Sequence, residues 1–181
     1  MPSHPRLLRG AALTAPDALL RAGRDADAEG FIALIGACWS EYPGIVFDVD
    51  GELPELRALA SHYARKGGAL WAAEADGHVV GMIAVASCDG ADAWEICRLY
   101  VLPAWRGSGL AHRLLDTAEA HARAARAARL ILWTDTRFER AHRFYEKRGY
   151  RRDGPIRALN DKSDTLEFGY ARAVSERVIE T

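Results

Sequence analysis

VLPAWRGSGLAHRLL, residues 101–115, is the stretch that decides the fold, because it joins two different apolar patterns across a turn. The first pattern is an apolar run that stops at Pro103, a residue without the amide proton that a strand interior needs. The second places leucines at helical spacing from Leu110 onward. Gly107 and Gly109 lie between the two, where alanine or leucine would favour the helix more strongly. The stretch therefore predicts a strand, a turn that needs bare backbone, and a helix.

A turn of this kind is suited to binding an anion. The first amides of a helix have no intrahelical partner and carry a partial positive charge, so a phosphate can sit on them where side chains leave room. Gly107 and Gly109 remove the β-carbons there, and Arg106 adds a permanent positive charge. The loop is not a Walker A loop, because no Gly-Lys-Ser/Thr follows, and His112 stands where the dinucleotide fingerprint has its third glycine. On these residues alone, a simple strand-to-helix turn is the alternative.

The rest of the chain alternates between helix-like and strand-like segments. Helices are predicted over about residues 27–39, 54–67, 108–126 and 138–149, the first of them capped by Asp25 or Asp27. Strands are predicted before the first helix, in a hairpin around Asp76-Gly77, up to Pro103, over RLILWTDT and in a closing pair. Alternation with a central hairpin predicts a single α/β domain with a mixed sheet.

Length, charge and cysteine content narrow the class of protein. The chain has 181 residues and a formal net charge of -1, which fits one compact domain and gives no general attraction to nucleic acid or to an anionic membrane. No run approaches the roughly 18 apolar residues of a membrane span. Three scattered cysteines are typical of reduced thiols, so we expect a cytoplasmic protein. We expect a flexible lead-in over residues 1–17, one domain over residues 18–174 and a tail over residues 175–181.

Two motifs resemble those of a known family. RGSGLA, residues 106–111, fits the Arg/Gln-x-x-Gly-x-Gly/Ala signature of the GNAT superfamily of N-acetyltransferases, and AHRFYEKRGY, residues 141–150, resembles its Ala-x-x-aromatic-Tyr-x-x-x-Gly-aromatic segment. The resemblance covers residues 18–174. It implies a GNAT-like α/β fold, with a mixed, mostly antiparallel sheet flanked by helices. It also implies acetyl-CoA as co-substrate, without a metal.

The resemblance assigns the coenzyme contacts by position. The strand before the loop would pair with the pantetheine arm, and the amide of Leu99 would hold the thioester oxygen as it gains charge. The backbone groups of the strand that would pair with the pantetheine arm are those of Leu99, Tyr100 and Val101. The diphosphate would bind the amides of Arg106, Gly107, Ser108, Gly109, Leu110 and Ala111. Phe138 departs from the family, because many relatives carry an asparagine there that contacts the coenzyme arm. Thr134, Asp135 and Thr136 are alternative sources of polar contacts.

Two side chains are candidates for proton transfer. Glu95 lies in an otherwise apolar strand, eleven residues before Arg106, where several family members carry a general base. The alternative is a strand-end glutamate that pairs with an arginine such as Arg98. Tyr145 lies four residues before Gly149, where the family's tyrosine stands near the coenzyme sulfur and can protonate the leaving thiolate. The alternative is an ordinary core tyrosine.

The expected reaction is acetyl transfer from acetyl-CoA to a primary amine of a small molecule, peptide or protein. Transfer would be direct, in a ternary complex, because no cysteine has a recognised nucleophile setting. A non-catalytic coenzyme A sensor and an acyltransferase for longer acyl groups are the alternatives. By resemblance, the acceptor would lie near residues 31–66 and 154–164, and the acidic residues of the first segment favour a cationic acceptor. We expect no nucleic acid or membrane partner, and a homodimer is possible.

Overall fold

The fold is seen in a computed structural model that describes residues 17–88 and 92–174. All but the last residue of the predicted lead-in, and the whole of the predicted tail, lie outside the described residues. The strands are β1 (Leu19–Ala22), β2 (Ala69–Ala75), β3 (His78–Ser87), β4 (Ala93–Val101), β5 (Arg129–Asp135), β6 (Arg151–Arg152), β7 (Arg157–Ala158) and β8 (Leu166–Ala173). The helices are α1 (Ala28–Trp39), α2 (Leu59–Arg65), α3 (Leu110–Ala124) and α4 (Glu139–Lys147). Short 3₁₀ turns cover Asp25–Asp27, Pro54–Ala58 and Pro103–Trp105. None of the helices in these ranges is long and apolar enough to cross a membrane.

The strands form one open sheet in the order β1-β2-β3-β4-β5-β8-β6, and β7 also pairs with β8. Every pairing is antiparallel except that of β4 with β5, which is parallel. A mixed, mostly antiparallel sheet flanked by helices is therefore confirmed. The hairpin turn is confirmed as well, since Asp76 and Gly77 have φ angles of 49° and 77°.

The parallel pair separates halfway along. β5 pairs with β4 from Ala93, opposite Arg129, to Ile96, opposite Leu132, and no further. Arg98 lies just beyond, with a φ of 53° at a shift in the β3–β4 register, which bends β4 as a bulge does. The last residues of β4 thus present an edge to β5 without a strand partner there.

The core lies on both faces of the sheet because β3 is apolar on both. Ile83 and Val85 pack in a cluster with Leu114 of α3, whereas Met82 and Ala84 pack in a second cluster with Phe31 of α1. These alternating residues are each 0% exposed. A strand buried on two faces reads as a continuous apolar run, as HVVGMIAVAS does.

The predicted cap of the first helix is wrong. The Asp27 carboxylate accepts hydrogen bonds from the guanidinium of Arg21 and from the amide of Arg24 instead of from α1. The Asp25 carboxylate accepts from the amide and hydroxyl of Ser61. Both carboxylates therefore join the 3₁₀ turn to neighbouring elements, because partners distant in sequence compete with the helix amides.

Candidate active site

A cavity of about 400 Å³ lies beside the last residues of β4, beyond the part of β4 that pairs with β5. Leu99, Tyr100 and Val101 of β4 form its floor, and residues of α4 form the opposite wall. Its mouth includes the glycine loop, by which we mean residues 106–111. Of the residues predicted to bind the coenzyme, those that line it are Leu99, Tyr100, Val101, Arg106, Gly107, Gly109 and Ala111. Ser108 and Leu110 are not among the lining residues. The structure thus brings the loop and the strand edge, which the family resemblance assigns to the coenzyme, to one cavity.

The glycine loop has two glycines for a conformational reason. Gly107 and Gly109 have φ angles of 77° and 85°, a region that side chains other than glycine rarely adopt. A β-carbon built at either position meets no atom within 4 Å, so open space surrounds both. The loop therefore needs glycine to turn, and the turn leaves its backbone uncovered toward the cavity.

The amides of this loop are available to a ligand. Within the described residues, no hydrogen bond is donated by the amides of Gly107, Ser108, Gly109 and Ala111. The Arg106 amide is an exception, because it donates to the carbonyl of Pro103. The Leu110 amide lies 3.4 Å from the Ser108 hydroxyl oxygen, a long bond that an anion can replace. Several uncovered donors at the start of a 15-residue helix are what an anionic group needs.

The Arg106 guanidinium is held by a carboxylate from another element. Its Nη1 lies 2.8 Å from both oxygens of Glu41, and Nη1 of Arg140 lies 3.6 Å from the same carboxylate. The second Arg106 nitrogen lies 3.9 Å from Sγ of Cys38, whose thiol donates to the carbonyl of Val101. Burial, which outweighs the nearby Arg106 guanidinium, raises the pKa of the Cys38 thiol, so it stays protonated at neutral pH.

Tyr145 reaches the cavity from α4. It is 7% exposed, and its ring contacts those of Phe144 and Tyr150 at centroid distances of 5.5 and 5.7 Å. No hydrogen bond within the described residues holds its hydroxyl, which borders the cavity. Burial raises the pKa of the Tyr145 phenol above its usual value, so the hydroxyl stays protonated over the physiological range.

Glu95 is not brought to this cavity. It lies between Trp94 and Ile96, which both pack in the α3 cluster, so its side chain leaves the sheet on the opposite face. Leu99 lies four positions further along β4, a distance of about 13 Å along the chain. Arg98 pairs with Glu55 at 2.5 Å. Glu95 as a general base remains a prediction, and it would have to act through water.

A second, smaller cavity of about 140 Å³ adjoins the first. Leu99, Tyr100 and Tyr145 line both. Its other wall comes from the last residues of β5, the first residues of β8 and the loop between β7 and β8, including Trp133, Thr134, Asp135, Asp161, Thr165 and Glu167. The two cavities therefore meet where the strands part, next to the Tyr145 side chain.

Charges in the second cavity are mostly paired. Asp135 is held by the Arg137 guanidinium at 2.6 Å, and Glu167 is held by Arg157 at 2.6 Å. The Asp161 carboxylate instead accepts from the amide of Thr165 at 2.8 Å. Desolvation opposes its ionisation, but hydrogen bonds from Thr165 and the Ser163 amide hold the pKa of Asp161 below its usual value. Asp161 therefore contributes a fixed negative charge to this cavity.

Apart from Tyr145, the residues that line the larger cavity near α1 and α4 were not predicted from the sequence. Trp39 and Tyr42 line it from the end of α1, and the Trp39 indole donates to the Tyr100 hydroxyl at 3.0 Å. Phe138 and Arg140 line it from the start of α4, and the Phe138 ring lies 4.6 Å from that of Tyr42. Aromatic residues are common in cores, so their spacing alone gave no signal. In the described part of the chain, no three His, Cys, Asp or Glu side chains are grouped to hold a metal ion.

Comparison with known proteins agrees with this geometry. The model of the acetyltransferase (GNAT) family matches residues 31–150. The chain is 36% identical over 99 residues to the uncharacterised N-acetyltransferase YjgM of Escherichia coli, covering 54% of this chain and 59% of that protein. It is 33% identical over 106 residues to an uncharacterised N-acetyltransferase of Mycobacterium bovis, covering 59% of this chain and 67% of that one. The aligned region thus spans about three fifths of the Escherichia coli relative.

Solved structures share the fold. A GNAT-family acetyltransferase of Staphylococcus aureus Mu50 superposes with a TM-score of 0.76 at 21% identity, over 87% of this chain and 99% of that one. The PaiA N-acetyltransferase of Thermoplasma acidophilum, solved in complex with coenzyme A, superposes with a TM-score of 0.66 at 20% identity, over 87% and 99% of the two chains. At such identities the likeness shows the fold alone. Because the family model spans most of the chain, from α1 to the end of α4, the protein belongs to the acetyltransferase (GNAT) family.

Proposed function

We propose that the protein transfers an acetyl group from acetyl-CoA to a primary amine, directly and within a ternary complex. The observation that carries the proposal is the meeting of two cavities at Leu99 and Tyr145. One cavity leads to uncovered amides that suit a diphosphate, and the other is lined by polar side chains such as Asp135, Asp161 and Glu167. A thioester and an amine that enter from the two sides would meet at the parted strands.

The coenzyme would lie along the first cavity. Its diphosphate would accept hydrogen bonds from the amides of the glycine loop, and its pantetheine amides would pair with the β4 edge that β5 leaves open. The bound coenzyme A in the PaiA structure supports a coenzyme site in this fold. This chain's own contribution is the backbone from Leu99 to Val101, with which β5 does not pair, and the loop after Pro103.

The reaction needs proton transfers as well as positioning. An alkyl ammonium has a pKa near ~10.4 and must lose a proton before its nitrogen attacks. The nitrogen then forms a bond to the thioester carbon while the Leu99 amide stabilises the oxygen that gains charge. As the carbon–sulfur bond breaks, the Tyr145 hydroxyl gives its proton to the thiolate. Glu95, through water, takes the proton that the ammonium loses before attack. The second proton leaves the nitrogen as the amide forms and restores the Tyr145 hydroxyl.

The acceptor would enter through the second cavity. Asp161 keeps its charge there and is hydrogen-bonded by neutral groups, whereas the neighbouring Asp135 and Glu167 carboxylates are paired with arginines. A negative charge of this kind favours an acceptor that carries a second positive group besides the reacting amine. Small diamines and other dicationic amines are therefore the acceptor class that we propose.

A thiol-release assay with acetyl-CoA and a panel of amines tests the proposal. The panel pairs each diamine with the monoamine of equal length, and mass spectrometry of the product identifies the bond formed. We expect release of free coenzyme A that depends on the amine, and an acetylated amine as product. Coenzyme A binding without amine-dependent release would instead favour a non-catalytic sensor. Faster release from longer acyl-CoA esters would favour the other alternative.

A further inference from the structure

Three charged side chains meet at the rim of the larger cavity. The Glu41 carboxylate lies 2.8 Å from Nη1 of Arg106 and 3.6 Å from Nη1 of Arg140. Both arginines line the cavity, one from the glycine loop and one from α4. Glu41 follows α1 by two residues, between Trp39 and Tyr42, which line the cavity too. One carboxylate therefore links three elements across the mouth of the proposed coenzyme site.

This position matters because two guanidinium groups converge there on one anion. The uncovered amides of Gly107 and Gly109 belong to the same mouth. A carboxylate with two arginines is the arrangement that a phosphate group with two arginines would replace, since both anions accept paired N–H donors. The Glu41 carboxylate thus marks where an anion is held when no ligand competes for the arginines.

The ion pairs of Glu41 with Arg106 and Arg140 are weak enough for an anionic ligand to replace the carboxylate. The side chains of Glu41, Arg106 and Arg140 are 30%, 26% and 60% exposed, and water screens pairs of this exposure. A diphosphate carries more charge than one carboxylate and also accepts from the loop amides. Coenzyme binding would therefore displace the Glu41 carboxylate from the two arginines, and only weak, exposed ion pairs would be lost.

We propose that Glu41 holds Arg106 and Arg140 in the free protein and competes with the coenzyme phosphates for both, and that Arg140 adds to the phosphate contacts expected of the glycine loop. Arg140 is then a coenzyme-binding residue that no sequence motif indicates. The proposal rests on the proposed function, because it needs a coenzyme with phosphate groups. It predicts that removal of a native carboxylate improves binding.

Calorimetric titration of the full chain with coenzyme A and, separately, with pantetheine, which has no phosphate, tests this. Glu41→Gln should tighten coenzyme A binding about two- to fivefold, the range that an exposed ion pair allows. It should leave pantetheine binding unchanged. Arg140→Gln should weaken coenzyme A binding about threefold. The matched controls are Glu139→Gln and Arg143→Gln, which remove the same charges from an exposed pair on α4 and should change neither titration.

Each outcome decides the proposal. Coenzyme A binding that is unchanged or weaker in Glu41→Gln would overturn it, as would an equal gain in Glu139→Gln, which would reduce the effect to overall charge. A gain for pantetheine as large as that for coenzyme A would also overturn it, because the competition would not involve phosphate. If the unaltered protein binds coenzyme A while the variants behave alike, the proposed function stands without this inference. If the unaltered protein binds none, both fail.

Discussion

At the scale of single residues, Tyr145 combines burial with access to both cavities. Its phenol has a raised pKa, and a raised pKa in an acid means that the protonated form persists to higher pH. We expect Tyr145→Phe to lower the turnover rate about a hundredfold, as loss of a general acid does, with coenzyme A affinity nearly unchanged. Steady-state kinetics and calorimetry measure the two effects. Full activity in Tyr145→Phe would remove the acid role.

The neighbouring Phe144 on the same helix provides a control for the loss of packing around Tyr145. Phe144 contacts its ring and also borders the larger cavity, but it has no proton to give. Phe144→Leu should therefore change coenzyme affinity more than the turnover rate. The opposite pattern in the two variants would contradict the assignment of proton transfer to the tyrosine.

The role of Glu95 as general base can be tested separately from substrate binding, because Glu95 lines neither cavity. If it accepts the amine proton through water, Glu95→Gln should lower kcat/KM chiefly at lower pH, where amine deprotonation limits the rate. The pH dependence of kcat/KM between pH 6 and 10 measures this, with Glu74→Gln on β2 as a control for loss of a half-buried strand carboxylate. A pH–rate profile identical to that of the unaltered protein would exclude Glu95 as the base.

Sequence reasoning at this scale succeeds where the chemistry is local. Gly107 and Gly109 are predicted from six residues, because a tight turn and bare amides depend only on neighbouring backbone. The partners of Arg106 and Arg98 are not predicted, because Glu41 and Glu55 lie 65 and 43 residues away in the chain. Such pairs follow from tertiary packing, and no spacing in the sequence indicates them.

At the scale of elements, ion pairs of one buried carboxylate connect α3 to the end of α4 and to β8. Glu119 of α3 is 5% exposed at its side chain and lies 3.1 Å from Arg148 and 2.7 Å from Arg172, and the Tyr150 hydroxyl donates to it at 3.0 Å. We expect Glu119→Gln to lower the free energy of unfolding by about 2–3 kcal/mol, since two arginines lose their carboxylate. Urea denaturation measures the loss.

Asp116 provides the matched control for this prediction. It binds the same Arg148 at 2.5 Å, but its side chain is 62% exposed. Asp116→Asn should cost less than about 1 kcal/mol, because solvent screens the pair. Equal losses of unfolding free energy in the Glu119 and Asp116 variants would show that burial does not determine the strength of the Glu119 ion pairs.

Most elements are predicted from the sequence, and the errors have physical causes. The long helix was predicted over residues 108–126 but ends at Ala124, and Ala125, just beyond its end, is exposed. The bulge in β4 is not predicted, because its positive φ falls on Arg98, a residue that rarely adopts it. The second helix begins as a 3₁₀ turn at Pro54, where its fixed φ suits a first turn.

At the scale of the whole molecule, three carboxylates, those of Asp135, Asp161 and Glu167, line the cavity through which the acceptor would enter. Asp161 is the carboxylate there that we expect a cationic acceptor to meet. Asp161→Asn keeps an oxygen to accept from the Thr165 amide but removes the charge. We expect it to raise KM for 1,4-diaminobutane about five- to tenfold, as loss of a partly buried charge contact does, and to leave KM for butylamine unchanged.

The neighbouring Asp164 is the control for acceptor charge. It is exposed in the same turn and does not line the second cavity, and its φ of 48° suits asparagine. Asp164→Asn should leave both KM values unchanged. An equal rise for the diamine in the two variants, or an equal rise for both amines in Asp161→Asn, would contradict a specific contact at Asp161.

The central claim is that uncovered backbone amides at Gly107 and Gly109 bind the coenzyme diphosphate, and calorimetric titration with coenzyme A tests it most directly. The comparison is between the unaltered protein, the double variant Gly107→Val/Gly109→Val, and Gly77→Val, which strains a turn of similar φ outside the cavity. We predict binding to the unaltered protein and to Gly77→Val, and a loss of at least about tenfold in the double variant. No binding to the unaltered protein, or equal binding to all three, would contradict the account.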